Sequence, residues 1–126
     1  MKKSPSAPNL DIQFNADVYA ALVQAARTAT FIDDRWRCLE AAHVLGQRFL
    51  RPHFEVHWLM LRLALACRDG REAIGQVVRL LLVPLGHLTG RLPLGNPGRA
   101  TVSAFAAMPV RPDLFALIDR ARSRGR

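Results

Sequence analysis

The feature that most constrains this chain is the recurrence of its apolar residues every three to four positions, in segments of helical length cut apart by short turn signals. Val18, Leu22 and Ala25 fall on one such stripe, the spacing of one face of a helix, and predict a helix from about Ala16 to Thr28. Ile32-Asp33-Asp34 then supplies a turn and an N-cap, and a second helix is expected to run to about Leu45, stopped by Gly46. Pro52 sits where a first-turn proline belongs, so a third helix is predicted from there to about Arg68, where Asp69-Gly70 breaks it. A fourth, from about Arg71 to Leu82, is expected to end near Pro84 and Gly86. Gly90 to Gly98 holds three glycines and two prolines among turn formers and reads as an irregular loop. A short last helix follows Pro112, roughly Asp113 to Arg122, with Leu114, Leu117 and Ile118 as its stripe.

No strand pattern competes; Thr101 to Phe105 is at most a short extended piece. Short connections between helices imply antiparallel hairpins, so the fold class is all-α, either a small antiparallel helical bundle or a truncated set of tetratricopeptide-like hairpins. Ala26 to Gln47, with its two-Asp turn and "WRCLEAAHVLG", also has the form of a tetratricopeptide-like hairpin. A full array does not fit into 126 residues alongside the long loop, since solenoids need about three repeats of roughly 34 residues. The chain divides into an N-terminal arm over 1–12, expected to be flexible, a single helical domain over 13–122, and a basic tail over 123–126.

Composition narrows the function. Half the residues are hydrophobic, which argues against global disorder. The basic start Met1-Lys2-Lys3 is followed by Ser and Pro and by no apolar core of a secretory signal. The charge-free run from Leu80 to Gly90 is too short to span a bilayer, so no membrane partner is expected. Two cysteines, Cys38 and Cys67, make no disulfide framework and suit a reducing, cytoplasmic setting. The net charge of +8 raises the question of nucleic acid. All the basic residues but Lys2 and Lys3 are arginines, however, as a GC-rich bacterial genome would produce, and they are spread along the chain. Only Arg120 to Arg126 is concentrated, and a solvated terminus accounts for it.

The chemistry lies in the second and third helices. At 100° per residue, Trp36, Glu40, His43 and Gln47 share one side of the second, with Leu39 at its edge. His53, His57, Met60 and Ala64 share a side of the third, while Glu55 and Arg62 lie nearly opposite. Both histidine-bearing faces point inward, where a polar group needs a partner. With the turn centred near Arg48 and Phe49, His43 stands level with His53, and Glu40 with His57. The i,i+3 and i,i+4 spacings put each pair within reach of a shared ion. Glu40, His43, His53 and His57 are thus the candidate metal ligands, with Glu40 either the fourth ligand or an acceptor behind the imidazoles. Imidazole and carboxylate suit zinc, iron or copper; Met60 and Cys67 would add softer donors along the same face. A closed site would serve structure or metal handling, and an open one a metal-dependent reaction, so enzyme activity stays an open question. A di-iron carboxylate centre needs more acids than one Glu-x-x-His supplies, unless two chains pair as a homodimer. The competing reading is a helical interaction module whose histidines are hydrogen-bonded core residues without metal. Cys38 points away from Glu40 on its helix, Cys67 is expected to be a small core residue, and His87, after Pro84-Leu85-Gly86, a local loop histidine.

The segments "EAAHVLGQ" (Glu40 to Gln47), "HFEVHWLMLRL" (His53 to Leu63), "GQVVRL" (Gly75 to Leu80), "GRLPLGNPGRATVSAF" (Gly90 to Phe105) and "MPVRPDL" (Met108 to Leu114) resemble the bacterial domain-of-unknown-function family 3703. The resemblance covers most of the chain beyond the first helix, and its most specific piece is the glycine–asparagine loop. It implies a small bacterial single-domain protein in which the Glu-x-x-His pair, the His-x-x-x-His pair and the loop belong to the pattern, and His87 does not. It implies no activity.

Overall fold

Asn15 starts the first helix: its side-chain oxygen accepts from the backbone N–H of Asp17 and Val18, satisfying donors that a helix start leaves without partners. The structure, a computed structural model, describes residues 12–125. Within them lie five helices and no strand: α1 (Ala16–Thr28), α2 (Ile32–Gly46), α3 (Leu50–Ala66), α4 (Gly70–Thr89) and α5 (Pro112–Arg124). The all-α bundle is as the periodicity predicts. The expected arm over 1–12 lies outside the described residues except for Ile12, which packs against the core together with Phe14. At the other end α5 runs through Arg122 to Arg124.

Local chemistry shifts several boundaries. Asp33 and Asp34 stand inside the first turn of α2, and Phe31 is its N-cap without a side-chain bond; carboxylates there favour the positive end of the helix dipole. Asp69 caps α4 by accepting from the Glu72 N–H. The largest departure is at Pro84, which does not end α4. The helix continues through His87 to Thr89 and closes on Gly90, whose φ of 72° lets it take the left-handed cap. Proline removes one backbone donor, and the packing of α4 on α3 outweighs that single loss. Thr101 to Phe105 is turn, not an extended piece.

Helix α2 is the central element, in contact with α1, α3 and α5, while α3 and α4 pair with each other. Its central position explains why Cys38, Leu39, Ala41, Ala42 and Leu45 are all buried around its circumference, with Cys38 on the side away from Glu40. Leu22, Val56, Met60, Leu114 and Ile118 complete the core. Cys67 caps the C-terminus of α3 and is exposed, so it is not a core residue. The outer face of α4 carries Ile74, Leu81, Leu85 and Leu88, all more than half exposed. No described helix is long and apolar enough to cross a membrane.

Candidate metal centre

The short connection Gln47–Phe49 turns α2 back into α3 and carries His43 toward both histidines of the next helix. His43 Nε2 lies 3.2 Å from His53 Nε2 and 3.0 Å from His57 Nε2. All three rings are buried, with at most 4% of their surface exposed. Nitrogens of the three residues lie within 4.8 Å of one another, a spacing able to hold a metal ion. Ligands at about 2.0–2.1 Å from a tetrahedral zinc stand roughly 3.3 Å apart, close to the separations from His43.

The opposite nitrogens determine what those Nε2 atoms can do. His43 Nδ1 is 2.7 Å from the Asn96 carbonyl oxygen, which only accepts, so the ring's proton resides on Nδ1. His57 Nδ1 is 2.7 Å from Gln76 Oε1. The Gln76 amide is oriented by its other end, where Nε2 donates to the Gly98 carbonyl, so Oε1 accepts and His57 also carries its proton on Nδ1. Neutral His43 and His57 therefore direct Nε2 lone pairs at one another. His53 Nδ1 meets His87 Nε2 at 2.9 Å. If His53 kept its proton on Nε2 it would serve one neighbour, and the other lone pair would still lack a donor.

Protonating the rings is a poor remedy at this depth. Burial, then the neighbouring His57 and His53, holds His43 well below the usual imidazole range. Burial followed by His57 and His87 pushes His53 down to about 3. Burial, assisted by the Arg79 charge and opposed by the Gln76 bond, lowers His57 to about 4. The cluster is thus neutral at pH 7, with converging lone pairs and each Nδ1 held from behind. That outer hydrogen bonding is the pattern that fixes the tautomer and direction of metal-binding histidines.

Loop and helix supply this outer layer. Asn96 is 2% exposed; its Nδ2 donates to the Ser103 and Ala106 carbonyls, its Oδ1 accepts from Gly98 N–H, and its own carbonyl receives His43. Gly98 has φ +87°, and a Cβ there would come within 2.7 Å of the His43 ring, so both the backbone and the space require glycine. On α4, Glu72, Gln76, Arg79 and Val83 recur at helical spacing and are buried, and His87 continues that row one turn beyond Pro84. It is a helix residue bonded to the cluster, not a local loop histidine.

Glu40 lies apart from the imidazoles. Its carboxylate accepts from Arg99 at 3.1 Å and from Arg111 at 2.7 Å. Arg99 also pairs with buried Glu72 and stacks over Trp36 at 3.8 Å, and Glu72 takes the Ala100 N–H as well. These carboxylates pin the loop to the helices. Met60 is core and Cys67 is exposed. Sequence reasoning missed Gln76 and Asn96; an amide on the inward stripe of α4 was a visible signal for the first, and nothing periodic marks the second.

A cavity of about 300 Å³ opens beside the cluster. The three histidines bound it together with Leu82, Val83, Leu85, Leu92 and Phe105, and Arg79 and Arg91 also line it.

Fold and site together define an all-α protein with a buried three-histidine cluster that can hold a metal ion. The chain belongs to the family described as a protein of unknown function, DUF3703, whose model matches residues 13–118. No curated protein and no solved structure matches it.

Proposed function

We propose that this protein binds one transition-metal ion through Nε2 of His43, His53 and His57, with Gln76, Asn96 and His87 orienting the rings from behind. The observation that carries this reading is the pair of facing lone pairs on His43 and His57, whose protons are held on the far nitrogens by Gln76 and Asn96. A cation between the rings satisfies them, whereas buried lone pairs facing each other are unfavourable. Three neutral imidazoles without thiolate suit zinc best, with iron and copper as the other candidates. The cavity beside the cluster favours a site whose fourth position is open, the arrangement of reactive rather than purely structural zinc centres. Glu40 acts in this reading as an anchor for Arg99 and Arg111 and not as a ligand. Elemental analysis of untagged protein purified without added metal tests the proposal: close to one equivalent per chain supports it. Metal-free protein that also fails to take up zinc, iron or copper would contradict it.

A second reading, a helical interaction module with core histidines, is favoured by the exposed Ile74, Leu81 and Leu88 on α4, since a contiguous apolar face on a soluble surface marks contact with a partner. It leaves the His43–His57 contact without an explanation.

A further inference from the structure

Charge around the cavity points to the kind of molecule it takes. A divalent ion held by three neutral imidazoles keeps its full charge, and buried uncompensated charge is costly. The protein supplies no counter-charge: among the described residues no Asp or Glu lines the cavity, whereas Arg79 and Arg91 do. The two buried carboxylates nearby, Glu40 and Glu72, are engaged by Arg99 and Arg111. That leaves the negative charge to a bound hydroxide or to an anionic ligand that displaces it. Most of the remaining wall is apolar, with Leu82, Val83, Leu85, Leu92 and Phe105 the large side chains, and Thr89 and Asn96 add the polar groups. At about 300 Å³ the space sits at the small end of the roughly 300–1,000 Å³ range of small-molecule sites.

We infer that the cavity binds a small amphiphilic monoanion, a carboxylate with an apolar body, its head toward the three-histidine centre and its body along Leu85, Leu92 and Phe105. This rests on the metal reading above. The head group brings the charge that the imidazoles lack, and the body removes the leucine and phenylalanine surfaces from water. A cation of the same shape meets Arg79, Arg91 and the ion with like charge and is rejected.

The test is calorimetric, on full-length protein, in two stages. Zinc alone is titrated first; absence of binding removes the metal reading and this inference with it. Octanoate, octylamine and acetate are then titrated separately into zinc-loaded and metal-depleted protein. The inference expects octanoate to bind the zinc-loaded protein at least tenfold more tightly than acetate does, with no detectable octylamine binding and at least tenfold weaker octanoate binding after metal depletion. Leu85→Glu, at a half-exposed position the fold tolerates, should weaken octanoate at least tenfold and leave zinc binding unchanged; Leu85→Gln should weaken it less. Zinc binding with octanoate no tighter than acetate or octylamine, or octanoate binding that ignores zinc, overturns the inference while the metal site stands.

Discussion

His43 Nε2 and His57 Nε2 lie 3.0 Å apart, yet each ring holds its proton on the other nitrogen, against the Asn96 carbonyl and Gln76 Oε1. Two acceptors facing each other across a buried gap define a place for a cation, and the consequences of that placement can be measured.

Gln76 should matter for the ion without touching it. Gln76→Leu removes the acceptor that keeps the His57 proton on Nδ1 and frees the ring to turn or change tautomer. Such outer partners are typically worth about 10–100-fold in metal affinity, and that loss is expected in zinc titrations. A change below about threefold would mean that Gln76 does not position His57.

Glu40→Gln should do the reverse. It breaks a buried anion's pairing with Arg99 and Arg111, of which Arg111 is about half exposed, so the cost is discounted to about 1–3 kcal/mol from the larger values of fully buried pairs. Denaturant unfolding should register that loss with and without chelator, while zinc stoichiometry and affinity stay unchanged. A large fall in affinity with little loss of stability would place Glu40 among the ligands.

Gly98→Ala should be poorly tolerated. The left-handed backbone alone costs roughly 1–2 kcal/mol for a residue with a Cβ, and that Cβ would meet the His43 ring at 2.7 Å. A total destabilisation of at least about 2 kcal/mol is expected, together with weakened metal binding. Wild-type stability in the variant would mean that the loop does not sit against His43.

Metal-free protein should lose stability on acidification. Native His53 and His57 are held at about 3 and about 4, chiefly by burial, while in the unfolded chain they titrate near 6.5. Between these values the unfolded state binds more protons, so their contribution is complete above about pH 6.5 and is lost as pH falls toward 4. Each contributes up to about 1.4 kcal/mol per pH unit in that window. Thermal unfolding of chelator-treated protein should show a Tm that is level above about pH 6.5 and falls steadily from there to pH 5; a profile flat throughout would mean that the rings are not buried neutral.

How far this site was legible follows from sequence distance. Periodicity on α2 and α3 placed His43, His53 and His57 on inward faces, because a helical hairpin is local and its register follows from a three-residue turn. Glu40 shared that inward face, and the same logic put it with the histidines. Its actual partners, Arg99 and Arg111, stand 59 and 71 residues away on an irregular loop without a period to read. Pro84 misplaced His87 for a different reason: a local stop signal was overridden by the packing of α4 on α3. Asn96 is harder still, since its role rests on a backbone carbonyl that any residue has and on a loop path that only the folded chain defines.

The most direct measurement is a cobalt(II) titration of metal-depleted protein followed by visible absorption, which reports both stoichiometry and coordination. The expected result for wild type is saturation at one equivalent with the intense bands of a four-coordinate ion, and loss of those bands in His57→Ala. Absence of saturable binding at micromolar protein, or identical spectra for wild type and His57→Ala, would contradict the three-histidine centre.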